Sequence, residues 1–222
     1  MQRRSNRESV MSLETIMKLR KAKAVQIGAL LIVGAILAGC ANSSSAVSMK
    51  HGSISISNLQ STINAITAER IATNTMPENA LTGSDLVRAQ LRLKIISFLL
   101  HRGASEKGIV LNPAEVASSR EKIVAQVGGE AAMPAALANA SIAASDLNRY
   151  IEDILIQDSL RAKLVAPTAT DQEFSAALQN YVSEIGAREN VKINPRYGVW
   201  VAETSDINPV DATNGAVADP AK

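Results

Sequence analysis

One cysteine, Cys40, two histidines, His51 and His101, and a few paired carboxylates are the residues of this chain whose types could do chemistry. A lone thiol can be acylated or act as a nucleophile, but it cannot close an intramolecular disulfide or build a multi-cysteine metal cluster. His51 lies near the start of the predicted helical region. His101 falls at a predicted helix end, where an imidazole complements the helix dipole, and its acidic company in the sequence is only Glu106. No Ser-His-Asp set is expected, and neither histidine is assigned a catalytic or metal-binding role. Glu115, Glu121, Glu152 and Asp153 fall on polar faces of predicted helices and read as solvated. Gly128-Gly129 lacks the preceding strand and following lysine of a phosphate loop. Met76 and Met133 carry flexible thioethers of the kind that line tolerant apolar grooves, although packing in a core or loop is the commoner use. Such a groove would draw on Met133, Phe98 and Tyr150. Trp200, the sole tryptophan, is expected to close the domain over its core. No cofactor, metal or small-molecule substrate is expected.

The positions of these residues depend on what the rest of the chain can build. It has 222 residues, 46% of them hydrophobic but only 3% aromatic. A core made of Ile, Leu, Val and Ala suits helices better than a sandwich or barrel. The net charge of +2 is unevenly placed. Residues 1–39 hold seven of the 23 basic residues and two of the 21 acidic ones, so the part from Cys40 onward is mildly acidic. That balance gives no basic footprint for nucleic acid.

The basic residues Lys18, Arg20, Lys21 and Lys23 precede an uncharged, mostly apolar run from Val25 to Leu37. The run is short for a membrane-spanning helix of ~20 residues and fits the apolar part of a secretory signal. It ends in Leu37-Ala38-Gly39-Cys40, which resembles the lipobox of bacterial lipoproteins. The resemblance implies transfer of a diacylglyceryl group, with fatty chains such as palmitate, to the Cys40 thiol, and signal cleavage between Gly39 and Cys40. A signal counted from Met17 has ordinary length, which makes Met17 a candidate start. The expected organisation is a signal segment at 1–39, a flexible tether at 40–50, one helical domain at 51–203 and a disordered tail at 204–222.

Within the domain, Ile54 and Ile56 alternate with serines in a short strand pattern. Ser57 or Asn58 can cap a helix carrying Leu59, Ile63, Ile66 and Ile71 on roughly one face. Thr82 and Asp85 have capping-box spacing. They open a helix with apolar residues on more than one face, which predicts the centre of the core, with Gly103 and Gly108 marking its end. Asn112-Pro113-Ala114-Glu115 is a helix start with cap, N1 proline and early acid, and Gly128-Gly129 ends that helix. A short Ala-rich helix at 130–140 follows, then a long one from Ser145 to about Leu164. Thr170 to Glu173 form a second capping box, before Phe174, Leu178, Tyr181 and Ile185 at helical spacing. The segment from Val191 to Asn194 alternates again, which predicts a two-stranded pair between 53–57 and 191–194.

This order of elements, with Leu99 to Val116 as its most telling stretch, resembles the SurA N-terminal-like domain of extracytoplasmic chaperones, including SurA and the PrsA-type foldase lipoproteins. The resemblance covers about residues 50–203. It implies a mainly α, multi-helix domain whose ends are joined by a small β pair. It also implies binding of unfolded or extended exported polypeptides, outside the cytoplasmic membrane and held to it through Cys40. Those relatives carry parvulin isomerase domains of about 90 residues. Only about 25 residues separate Leu164 from the Val191 strand here, so the isomerase is absent and no enzymatic activity is expected. The other reading is a structural or assembly lipoprotein serving one dedicated protein partner. An open apolar cleft beside the central helix would favour polypeptide binding, and a closed, charge-covered surface the other.

Overall fold

The computed structural model describes residues 44–209. Gly39 and Cys40, the expected signal segment and the chain from 210 onward lie outside them. Among the described residues, six α-helices and five short strands make a mainly α fold. The helices are α1 (Ile56–Ala72), α2 (Gly83–Glu106), α3 (Pro113–Val127), α4 (Met133–Ala140), α5 (Leu147–Leu164) and α6 (Asp171–Glu189). The strands are β1 (Ser45–Met49), β2 (Gly52–Ser55), β3 (Lys192–Ile193), β4 (Val199–Val201) and β5 (Asp206–Asn208).

The central helix is α2. Leu91, Ile95 and Leu99 are fully inaccessible along it, and Leu86, Leu100 and Ala104 nearly so. Each such leucine or isoleucine contributes about 1.5–3 kcal/mol relative to an exposed position. Helices α5 and α6 pack on α2, with Ile156, Leu160, Val182 and Ile185 joining its cluster. A second cluster gathers Met133, Leu137, Leu147 and Ile151 from α4 and α5. Helix α5 therefore spans both clusters, with its first half in one and its second half in the other. Gly103 lies inside α2 rather than ending it. A Cβ there would stand 2.6 Å from Ile185 Cδ1 and 2.7 Å from Tyr181 Cε1, so the missing side chain lets α6 approach α2. The Tyr181 hydroxyl donates to the Gly103 carbonyl at 2.9 Å across that contact.

Local capping signals are realised where a side chain can reach its own helix. Asn112 accepts from the Ala114 amide at 3.0 Å, and Gly128 ends α3 in the left-handed region at φ 99°. Thr170 and Glu173 form the reciprocal box that opens α6. The expected box at Thr82 does not form: its side chain makes no cap bond, and Asp85 pairs with Arg88 instead. The cap of α1 is Ser55, not Ser57 or Asn58, because β2 ends there and Ile56 is already helical. Asp146, not Ser145, stands at the cap of α5, after a 3₁₀ turn over Ala144–Asp146.

The buried row of α1 is Leu59, Thr62, Ile66 and Arg70, while Ile71 is 76% exposed. Arg70 replaces the expected isoleucine because its guanidinium finds oxygens: Leu81 O at 2.8 Å and Ser141 Oγ at 2.7 Å, with Ala138 O at 3.5 Å. Two of these acceptors lie at the C-terminal end of α4, where a helix favours a cation. Burial pulls the Arg70 pKa below its ordinary value.

The ends of the domain are joined by a sheet, but not by the pair expected between 53–57 and 191–194. The strand order is β2-β1-β3, with β1 hydrogen-bonded to both neighbours. Val47 stands opposite Ile54 on one side and Ile193 on the other. The stretch expected to be a flexible tether at 40–50 thus contains the central strand, with Ala46, Val47 and Met49 buried. Serines at 43–45 and 48 masked this in the sequence. The three-stranded arrangement also explains how such short segments persist, since an isolated two-stranded pair is marginal in water. The stretch expected as tail from 204 is corrected in its first part: Asp206–Asn208 pairs antiparallel with Val199–Val201, and Ile207 is buried. No helix among the described residues is long and apolar enough to cross a membrane.

Candidate functional site

The last two turns of α2 and the segment after them frame a cleft of about 410 Å³. Helix α2 ends at Glu106, and Gly108 takes φ 67°. This left-handed residue turns the chain so that the Ile109 amide donates to the Ala104 carbonyl at 2.8 Å. Ile109 and Leu111 then pack on the core, and Val110 between them points outward at 91% exposure. Ile156 and Glu152 of α5 form the facing wall, and His101 and Ala104 of α2 line the site between. The result is an open depression, apolar along Ala104, Ile109, Val110, Leu111 and Ile156, with an imidazole and a carboxylate at one side.

Behind that side lies a polar network between α2 and α5. The Ser97 hydroxyl donates to Asp153 Oδ1 at 2.9 Å, and Arg149 Nε donates to Ser97 Oγ at 2.9 Å. His101 Nε2 is 3.1 Å from Asp153 Oδ1 and 3.7 Å from Glu152 Oε2. The His101–Asp153 approach lies off the N–H direction, so Nε2 is buried beside the carboxylates without a true hydrogen bond. Glu152 and Asp153 were expected to be solvated and Glu106 to be the only acid near His101; both expectations are corrected. Helix α5 brings its two carboxylates to His101, while Glu106 pairs with Arg188 at 2.7 Å. The contact joins positions 52 apart in sequence, which local spacing cannot reveal.

A serine, a histidine and an aspartate do meet here, but not as a nucleophilic triad. The serine gives its proton to the aspartate, Ser97 is buried, and the imidazole approaches Asp153 rather than the Ser97 hydroxyl. In a working triad the imidazole stands between the two. Among the described residues, no group of three His, Cys, Asp or Glu side chains is placed to hold a metal ion.

The residues expected to line a groove do not converge. Met133 is 5% exposed inside the second core cluster. Phe98 packs beneath the β1–β2 hairpin, where its ring stands 2.6 Å from a Cβ built on Gly52. Tyr150 is partly buried on α5, and burial, with the nearby Asp153 charge, pushes its hydroxyl pKa up. Trp200 packs against the main cluster, as expected of a residue closing the domain. The cleft residues His101, Ile109, Val110, Leu111, Glu152 and Ile156 were not anticipated as a set. The apolar run Ile109-Val110-Leu111 after a glycine was the one visible signal for them.

A second polar node ties the far end of the hairpin to the helices. Glu189, buried at the end of α6, accepts from the His51 amide at 3.0 Å, from His51 Nδ1 at 2.8 Å and from Arg102 Nε at 3.0 Å. Its backbone carbonyl accepts from the Lys50 amide at 2.7 Å. Burial opposes the Glu189 charge, but the donors from His51 and Arg102 outweigh it and hold its pKa below the usual carboxylate range.

No protein-family model, curated protein or solved structure matches this chain.

Proposed function

We propose that this protein is a lipid-anchored extracytoplasmic lipoprotein that holds short extended segments of exported polypeptides in the cleft at the end of α2, without catalysis. The open cleft beside the central helix, lined partly by apolar and partly by polar groups, is the observation that carries this reading. An extended chain can lay an apolar side chain against the partly exposed Ile109 and Leu111 while its backbone stays near the polar His101 and Glu152. Recognition of that kind is weak and tolerant of sequence, which suits transient holding. The lipobox-like run ending at Cys40 supports the anchor, and the likeness in element order to SurA N-terminal-like domains supports the binding role.

The mature protein starting at Cys40 is expected to suppress light scattering by an unfolding reporter protein at near-stoichiometric ratio. Val110→Asp places a charge at the mouth of the cleft, on a side chain that is 91% exposed, so folding is unaffected; it is expected to weaken the suppression. Full suppression by the variant, or none by the wild type, contradicts the reading.

One observation favours the second reading, a lipoprotein serving one dedicated partner. The large exposed apolar residues Ile71, Met76, Leu93, Val110 and Val199 are spread over α1, α2, two loops and β4 rather than gathered around the cleft. A single partner captured in stoichiometric complex, with no effect on unfolded reporters, would establish that reading instead.

A further inference from the structure

We propose that the end of the domain where the chain comes in from Cys40 lies flat against anionic lipid headgroups, so that the cleft faces away from the membrane. This inference rests on the lipid anchor at Cys40 proposed above. The four residues Ala41 to Ser44 span at most about 14 Å when fully extended. The first ordered strand begins at Ser45. A domain tied that closely cannot float free of the surface; one of its faces must spend most of its time within about a Debye length, ~8 Å, of the headgroups.

The face in question is set by the strand pairing. The Asn194 amide donates to the Ala46 carbonyl at 2.8 Å, and the Ile56 amide donates to the Ser44 carbonyl at 2.8 Å. The start of β1 is therefore flanked by the start of α1 on one side and the turn Pro195–Tyr197 on the other. That turn presents an exposed Arg196, whose guanidinium stands 5.9 Å from the centre of the Tyr197 ring. Val199 follows at 57% exposure. From Lys192 to Val199 there is no carboxylate, and the first turn of α1 has none either. The exposed Arg196 and Val199, on a stretch that carries no carboxylate of its own, are complementary to an anionic interface, where basic side chains anchor.

The energetics fit an orienting role. Each basic residue at such a surface contributes only ~1 kcal/mol, too little to recruit a protein from solution. For a domain already tethered within a few nanometres, the encounter is intramolecular and that little is enough to select one face. The cleft then points outward. Strand β1 runs from the chain's point of arrival to the hairpin turn at Lys50 and His51, roughly 13 Å away. Glu189 holds that turn to Arg102, and Arg102 adjoins His101 in the cleft wall.

Trp200, the only tryptophan, adjoins Val199 and packs on the core just behind this face while still partly exposed, so quenching by proximity reports on this face without labelling. The full mature lipoprotein, purified from its membrane and reconstituted in phosphatidylcholine vesicles with or without phosphatidylglycerol, is floated and its fluorescence measured with headgroup-attached nitroxide quenchers. Trp200 is expected to be quenched strongly in the anionic vesicles and weakly in the neutral ones. Arg196→Glu should lower the docked-to-free ratio at least about fivefold, since it removes one basic residue's ~1 kcal/mol and adds a repelled charge, while the protein still floats. A floating wild type whose Trp200 is equally unquenched in both vesicles, or an Arg196→Glu variant quenched like the wild type, overturns the orientation and leaves the anchor standing. A wild type that does not float overturns the anchor, and the orientation with it.

Discussion

Glu189 is nearly inaccessible yet charged, because His51 and Arg102 give it three hydrogen bonds and no other route to neutrality is needed. Removing it as Glu189→Ala would leave the Arg102 guanidinium and the His51 amide without their acceptor, at a cost of about 2–3 kcal/mol; chemical denaturation of the variant measures this. The pH dependence follows from the direction of its pKa. The folded value lies below the unfolded one, so the stabilisation is complete above the unfolded carboxylate's pKa of about 4.3 and is lost as pH falls through the folded value. Glu189→Gln is therefore expected to flatten the acid limb of the stability curve, and an unchanged acid limb would show that other carboxylates set it. None of this could be read from neighbours in the chain, since His51 and Glu189 are 138 positions apart. Arg70 gives the same lesson: its acceptors near positions 81 and 141 turn a charged side chain into a buried one. His101 gives it again through Asp153.

Helices were legible wherever the deciding interaction was local. The caps at Asn112 and Thr170 and the left-handed stop at Gly128 need only residues within four positions of one another. The many-sided apolar pattern of α2 foretold its central place. Strand β1 was not legible, because it contains Ser45 and Ser48 and follows Ser43 and Ser44, and its burial is supplied by partners at both ends of the domain. The role of Gly103 was hidden for a related reason: glycine inside a helix usually weakens it, and only the packing shows why it is there. Two effects oppose each other at this position. Gly103→Ala gains about 1 kcal/mol of helix propensity. It also forces a methyl against Ile185, which has no free space, and against a Tyr181 ring pinned through its hydroxyl. Overpacking of that kind costs typically 1–3 kcal/mol, so the variant is expected to be less stable by about 1 kcal/mol, read from its urea midpoint. A stabilised variant would mean that α6 can move away from α2 at little cost.

For the whole molecule, the fold class was readable from composition and periodicity, whereas the position of the cleft depended on how α5 lies across the end of α2. The anchor and the cleft are separable claims. Cys40→Ala removes the sole thiol, so the variant is expected to keep its signal and to carry no diacylglyceryl group, both read by intact mass. A variant still membrane-bound and processed would refute acylation at this residue while leaving the cleft untouched. The cleft is tested most directly by hydrogen exchange of the mature protein with and without an unfolded, non-aggregating polypeptide. Binding is expected to slow exchange of the amides from Gly108 to Leu111 and to leave the α3–α4 region unchanged. Exchange that is unaltered over Gly108 to Leu111, or slowed only elsewhere, would contradict the assignment of this cleft as the polypeptide-binding site.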